Sequence, residues 1–197
     1  MTQTITGLYD HYASAQAAVG ALERMGVPHS DISIVAHGRD TGHASDAEDD
    51  AGKGAGIGAA IGGVGGLLTG LGMMAIPGVG PVVAAGWLVA TVVGAAGGAA
   101  VGGAAGGLIG SMTNAGVNEA DAHVYAEGVR RGGTLVTARV ADSIAASANA
   151  VLHENKAVNP VTRGEAYRSQ GWSRFDEASQ PYSETETAAE RARYTRV

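Results

Sequence analysis

The sequence predicts an α+β protein. A ferredoxin-like sandwich of two βαβ units is interrupted by a long Gly/Ala-rich antiparallel helical hairpin and followed by a polar C-terminal tail. Three observations carry this. Short β-branched runs alternate with amphipathic helical stretches at both ends of the folded part, at residues 1–36 and 118–161. The 65 residues from Gly54 to Asn118 contain no Asp, Glu, Lys or Arg and hold 21 of the 32 glycines. Residues 162–197 are polar, with six acidic and six basic side chains.

The first half reads strand, helix, strand. Thr4–Tyr9 is short and β-leaning. A helix follows from near Asp10, with Tyr12, Ala15, Val19 and Leu22 on one face. Gly26 suits its C-terminal cap, and Pro28 lies just beyond. Asp31–Ala36 alternates and is β-branched, giving a second strand parallel to the first. Residues 37–53 form an acidic linker. Its His37 and His43 lie near Asp46, Glu48, Asp49 and Asp50, but in no ligand spacing with a fixed geometry, so no metal is expected.

Residues 54–117 form the predicted glycine zipper. Gly54, Gly58, Gly62, Gly66 and Gly70 recur every four residues, and Gly86, Gly94, Gly98, Gly102, Gly106 and Gly110 keep the same register on a second limb. On helices these make two small-residue stripes that let backbones approach closely. The expected helices run about 54–75 and 82–112, joined by a turn at 76–81 that contains Pro77, Gly78, Gly80 and Pro81. Off-stripe glycines such as Gly63, Gly97, Gly103 and Gly107 supply a second small face toward other copies. The first limb, Gly54–Ile76, is long enough as a helix (roughly 35 Å) to cross a hydrocarbon core of ~30 Å. The pattern supports two readings: hairpins that self-associate and insert in a lipid bilayer, or a soluble homo-oligomer whose hairpins bundle away from water.

The second half mirrors the first. Asn118 caps a helix with Asp121 in its first turn and Ala122, Tyr125, Ala126 and Val129 on one face. Arg130 and Arg131 suit its C-terminal end, and Glu127 beside them reads as part of a solvated cap rather than an anion site. Thr134–Val140 is a strand. Asp142 is expected to cap a helix carrying Ile144, Ala148, Val151 and Leu152, and Ala157–Val161 to close as a short edge strand. In the tail, Trp172 and Phe175 read as an element that docks a protein partner. Ser183 and Glu186 form a capping box ahead of a helix to about Tyr194.

Composition excludes several functions. Without Cys there is no disulfide frame and no thiolate chemistry. No G-x-G-x-x-G or P-loop pattern occurs, so no cofactor is expected. A net charge of −6 argues against nucleic acid. No catalytic constellation is found, which leaves a small-molecule sensor built on the sheet as the weakest alternative. The N-terminus has no basic start and no apolar run, so the protein is expected at the cytoplasmic face of the inner membrane, or in the cytoplasm if its hairpins bundle.

Three segments resemble a known family. Asp31–Val35, the turn Ala75–Val82 and the E-G-V-R-R-G-G-x-L-V run Glu127–Val136 are similar to those of bacterial general stress and low-temperature-induced proteins, over about residues 1–160. The resemblance implies a stress-response role and membrane association. It carries over no catalytic residue.

Overall fold

The computed structural model describes residues 1–38, 72–91 and 107–194. The chain forms β1 (Thr2–Tyr9), α1 (Tyr12–Arg24), a 3-10 turn (His29–Asp31) and β2 (Ile32–His37). It continues as β3 (Gly72–Ile76), β4 (Gly80–Ala85) and a helical turn at 87–91. Then come α2 (Leu108–Asn114), α3 (Glu119–Arg130), β5 (Thr134–Ala141), α4 (Asp142–Glu154), α5 (Pro160–Ser169) and α6 (Glu184–Tyr194). The expected α+β class holds. The strands form one antiparallel sheet in the order β1-β5-β2-β4-β3. Since β1 and β2 both run against β5, they are parallel to each other with β5 between them.

Both faces of the sheet are buried. Ile5, Tyr9, Ile34, Val136 and Ala138 pack under Val19 and Leu22 of α1 and Ala148 and Leu152 of α4. On the opposite face Leu8, Val35, Val82 and Leu135 meet Leu88, Met112 of α2, and Tyr125, Ala126 and Val129 of α3. Successive strand residues point to opposite faces, so a strand covered on both sides is apolar throughout. β2 is accordingly buried at all six positions.

The expected helical hairpin is corrected where it is described. Residues 72–76 and 80–85 are strands, and β4 pairs with β2 through Ile34↔Ala85 and Val35↔Ala84. The turn between the limbs lies where the Pro and Gly residues put it, with Gly78 at φ +74 and Gly80 at φ +93, but it joins strands. Gly86 is not a stripe position on a continuous helix. Its φ is +95, and a Cβ there would run into the Ile32 carbonyl oxygen and lie 2.7 Å from Ser33 Cα. The physical reason is that Gly80–Ala85 is small and β-branched with no polar alternation, a pattern that serves a doubly buried strand as well as a helix.

Two further expectations change. The last strand reduces to one bridge, Leu8↔Val158, with Val158 N–H donating to the Leu8 carbonyl at 2.7 Å. Asn159 instead caps α5, accepting from Val161 N at 3.0 Å and Thr162 N at 3.1 Å, with Pro160 opening the helix. The boundary expected at 161/162 therefore falls inside α5. Asp142 lies in the first turn of α4, whose N-cap is Ala141.

Candidate functional site

The densest polar constellation joins α3, α5 and α6. Asn118 starts α3 by accepting from Ala120 N at 2.9 Å. About two and a half turns later the helix buries Glu127 completely, near the core residues Ala126 and Val129. The Glu127 carboxylate accepts from Arg130 Nε at 2.9 Å and Nη2 at 2.5 Å, and from Arg131 Nε at 2.6 Å. Arg131 Nη1 continues to Gln170 Oε1 at 2.8 Å and Glu190 Oε1 at 2.9 Å. The Arg131 guanidinium also lies 4.1 Å from the centre of the Tyr167 ring. The expected solvated cap is thus a buried ion cluster, with Arg131 only 5% exposed.

A second pair extends the cluster. Arg163 of α5 makes a two-pronged bond to Asp10, at 2.7 and 2.8 Å, and lies 3.6 Å over the Tyr194 ring of α6. Burial pulls the pKa of both Arg131 and Arg163 down, but Glu127 and Glu190 at Arg131, and Asp10 with Tyr167 at Arg163, outweigh it and the net shift is upward. Burial pushes the Tyr167 phenol up. At neutral pH the two guanidiniums stay charged and the phenol stays neutral. Every Glu127 contact is a charge-assisted hydrogen bond to a guanidinium, and Arg131 carries the network on to Gln170 and Glu190, which fixes the relative positions of α3, α5 and α6.

The tail folds back over this cluster and the β3–β4 turn. A Cβ on Gly78 would lie 2.7 Å from Glu177 Cα and 3.0 Å from Phe175 Cζ, and one on Gly80 would lie 2.8 Å from Pro181 Cγ. Phe175 is buried within its own chain, and Trp172 meets Tyr167 edge-on at 5.7 Å. The expected capping box forms, with Ser183 N donating to Glu186 Oε2 at 2.8 Å and Glu186 N to Ser183 Oγ at 3.3 Å. Sequence reasoning missed the docking because its signal is spread over distant residues: Glu127, Arg131, Gln170 and Glu190.

An open cleft of about 380 Å³ lies at the other end of the sheet, lined by Thr2, Thr4, Trp87, Ser111, Asn114 and Arg139 among others. Arg139 is already paired with Asp31 at 3.1 Å and lies 4.7 Å over Trp87, so it offers little uncompensated charge. Among the described residues, no group of three or more His, Asp or Glu side chains could hold a metal ion.

Most predicted zipper residues lie outside the described residues: Gly54, Gly58, Gly62, Gly66, Gly70, Gly94, Gly98, Gly102 and Gly106. Of the others, Gly86 follows β4 and Gly110 sits within α2, while Pro77, Gly78, Gly80 and Pro81 surround the strand turn. Among the described residues, no helix is long and apolar enough to cross a membrane.

Residues 4–75 match the family model of the heat induced stress protein YflT domain. The match spans β1, α1, β2 and most of β3, and it supports a place among bacterial general stress proteins. No curated protein and no solved structure matches the chain.

Proposed function

We propose that this chain is a non-enzymatic, stress-associated protein that self-associates through its Gly/Ala-rich sequence and keeps the α+β domain as its folded body. One observation carries the reading. The 65 charge-free residues carry four-residue glycine repeats at Gly54–Gly70 and Gly94–Gly110. Uncharged sequence of that kind needs a partner surface to leave water, and small residues every fourth place suit close backbone contact. Close contact between copies needs only the small-residue spacing, whereas crossing a bilayer needs ~20 consecutive apolar residues, so association between copies is the first reading. Insertion at the cytoplasmic face of the inner membrane is the second reading, favoured by the absence of charge. The domain itself is read as ferredoxin-like. β5 threads between β1 and β2, and α4 returns the chain to the outer side of β1 at Val158, with the β3–β4 hairpin as an addition beyond β2.

Crosslinking in heat-stressed cells, followed by fractionation, tests this. Crosslinked multimers in the detergent-free supernatant support self-association. Release from the membrane pellet only by detergent supports insertion. Uncrosslinked monomer throughout the supernatant refutes both.

A further inference from the structure

The helix α6 is held almost entirely by polar groups. Its only buried residue is Glu190. Glu190 meets Arg131 at 2.9 Å, Arg191 Nη2 donates to the Gly132 carbonyl at 2.6 Å, and Tyr194 stacks under Arg163 at 3.6 Å. Gly132 leaves room for Thr187, since a Cβ there would collide with the Thr187 methyl. The fourteen residues between α5 and α6 contain no helix or strand, so α6 is tethered by a connector of its own. Beneath it lies a groove whose charge does not balance without it. Glu127 faces both Arg130 and Arg131, and Glu190 supplies the second negative charge.

We propose that this groove, formed by Arg131, Arg163, Tyr167, Gln170 and the Gly132 carbonyl, is a binding site for an acidic helix, and that α6 fills it in cis. The chemistry selects the occupant. A carboxylate reaches Arg131, an aromatic ring one turn later meets Arg163, and a small residue one turn earlier sits on Gly132. These are Glu190, Tyr194 and Thr187, at spacings of four and three that share one helical face. A partner helix with this pattern competes with α6 for the groove. Docking through charge-assisted bonds with little apolar burial is sensitive to neutralisation of the carboxylate.

The test uses the full chain and a dye-labelled synthetic peptide of residues 181–194. Replacing a charge-assisted bond by a neutral one weakens it about tenfold, so Glu190→Gln opens the groove by roughly that factor. The Glu190→Gln chain is expected to bind the wild-type peptide saturably and at least ~10-fold more tightly than the wild-type chain does. A peptide carrying the same Glu→Gln change is expected to lose that binding. Hydrogen exchange supplies a second, independent reading: amides of α6 speed up in Glu190→Gln while those of β5 stay slow. If α6 opens only together with β5, or the two peptides bind alike, or neither peptide binds the opened chain, the inference is wrong.

Discussion

Replacing Gly86 by alanine separates the strand hairpin from a helical one. On a continuous helix through 82–112, alanine would stabilise by up to ~1 kcal/mol relative to glycine. The structure requires the opposite sign. Gly86 sits at φ +95, and its Cβ would overlap the Ile32 carbonyl oxygen and lie 2.7 Å from Ser33 Cα. Both neighbours are backbone of β2, so no side-chain rotation relieves them. Backbone strain of about 1–3 kcal/mol and overpacking of about 1–3 kcal/mol together give roughly 2–6 kcal/mol of destabilisation. For a chain of this size that lowers Tm by at least about 5 °C. Gly26→Ala is the control: its φ is +88 but nothing lies within 4 Å, so only the dihedral cost applies, about 1–3 kcal/mol. Urea unfolding and calorimetry of both variants decide the matter. A Gly86→Ala protein as stable as wild type, or no less stable than Gly26→Ala, would refute the packing of β4 against β2.

Other substitutions test the remaining contacts. Gly128→Ala sets a Cβ into Leu8, 2.9 Å from Cδ1 and 3.2 Å from Cγ besides a closer contact with Cδ2, and is expected to cost about 1–3 kcal/mol despite better helix propensity. Leu8→Ala should recover part of that in a double-mutant cycle measured by urea titration. Glu127→Leu leaves the buried Arg131 guanidinium and the partly buried Arg130 short of a partner and is expected to cost about 3–5 kcal/mol in the same assay. Burial raises the Tyr9, Tyr125 and Tyr167 phenols, so their stabilising effect is complete below the ordinary value of about 10 and lost as pH rises above it. Absorbance at 295 nm should therefore show these three ionising only as circular dichroism reports unfolding. His123 is shifted down by burial and Arg174, against an opposing pull from Glu119, so its contribution is present above about pH 6.5 and fades as pH falls. His123→Gln should flatten the stability profile on the acid side of that value.

The elements that alternate or carry caps were legible in the sequence. α1 shows Tyr12, Ala15, Val19 and Leu22 on one face, and α3 and α6 announce themselves by Asn118 and by the Ser183–Glu186 pair. β4 was not legible, because Gly80–Ala85 is buried on both faces and has no polar phase to distinguish a period of two from one of 3.6. Gly86 matched the four-residue spacing of its neighbours, while its local backbone is dictated by close approach to β2. Asn159-Pro160 carried a helix-start signal that the proline's usual place at sheet edges masked. The ion cluster was invisible because its members lie far apart in the chain, Glu127 with Glu190 and Asp10 with Arg163, and charged residues are ordinarily solvated.

Sedimentation velocity on the full chain without detergent, beside the variants Gly98→Leu and Val101→Leu, decides whether the Gly/Ala-rich sequence is an association element. The account predicts a defined multi-subunit species for wild type and for Val101→Leu, lost in Gly98→Leu while circular dichroism of the α+β domain is unchanged. Monomer at every wild-type concentration, or the same assembly in both variants, would contradict it.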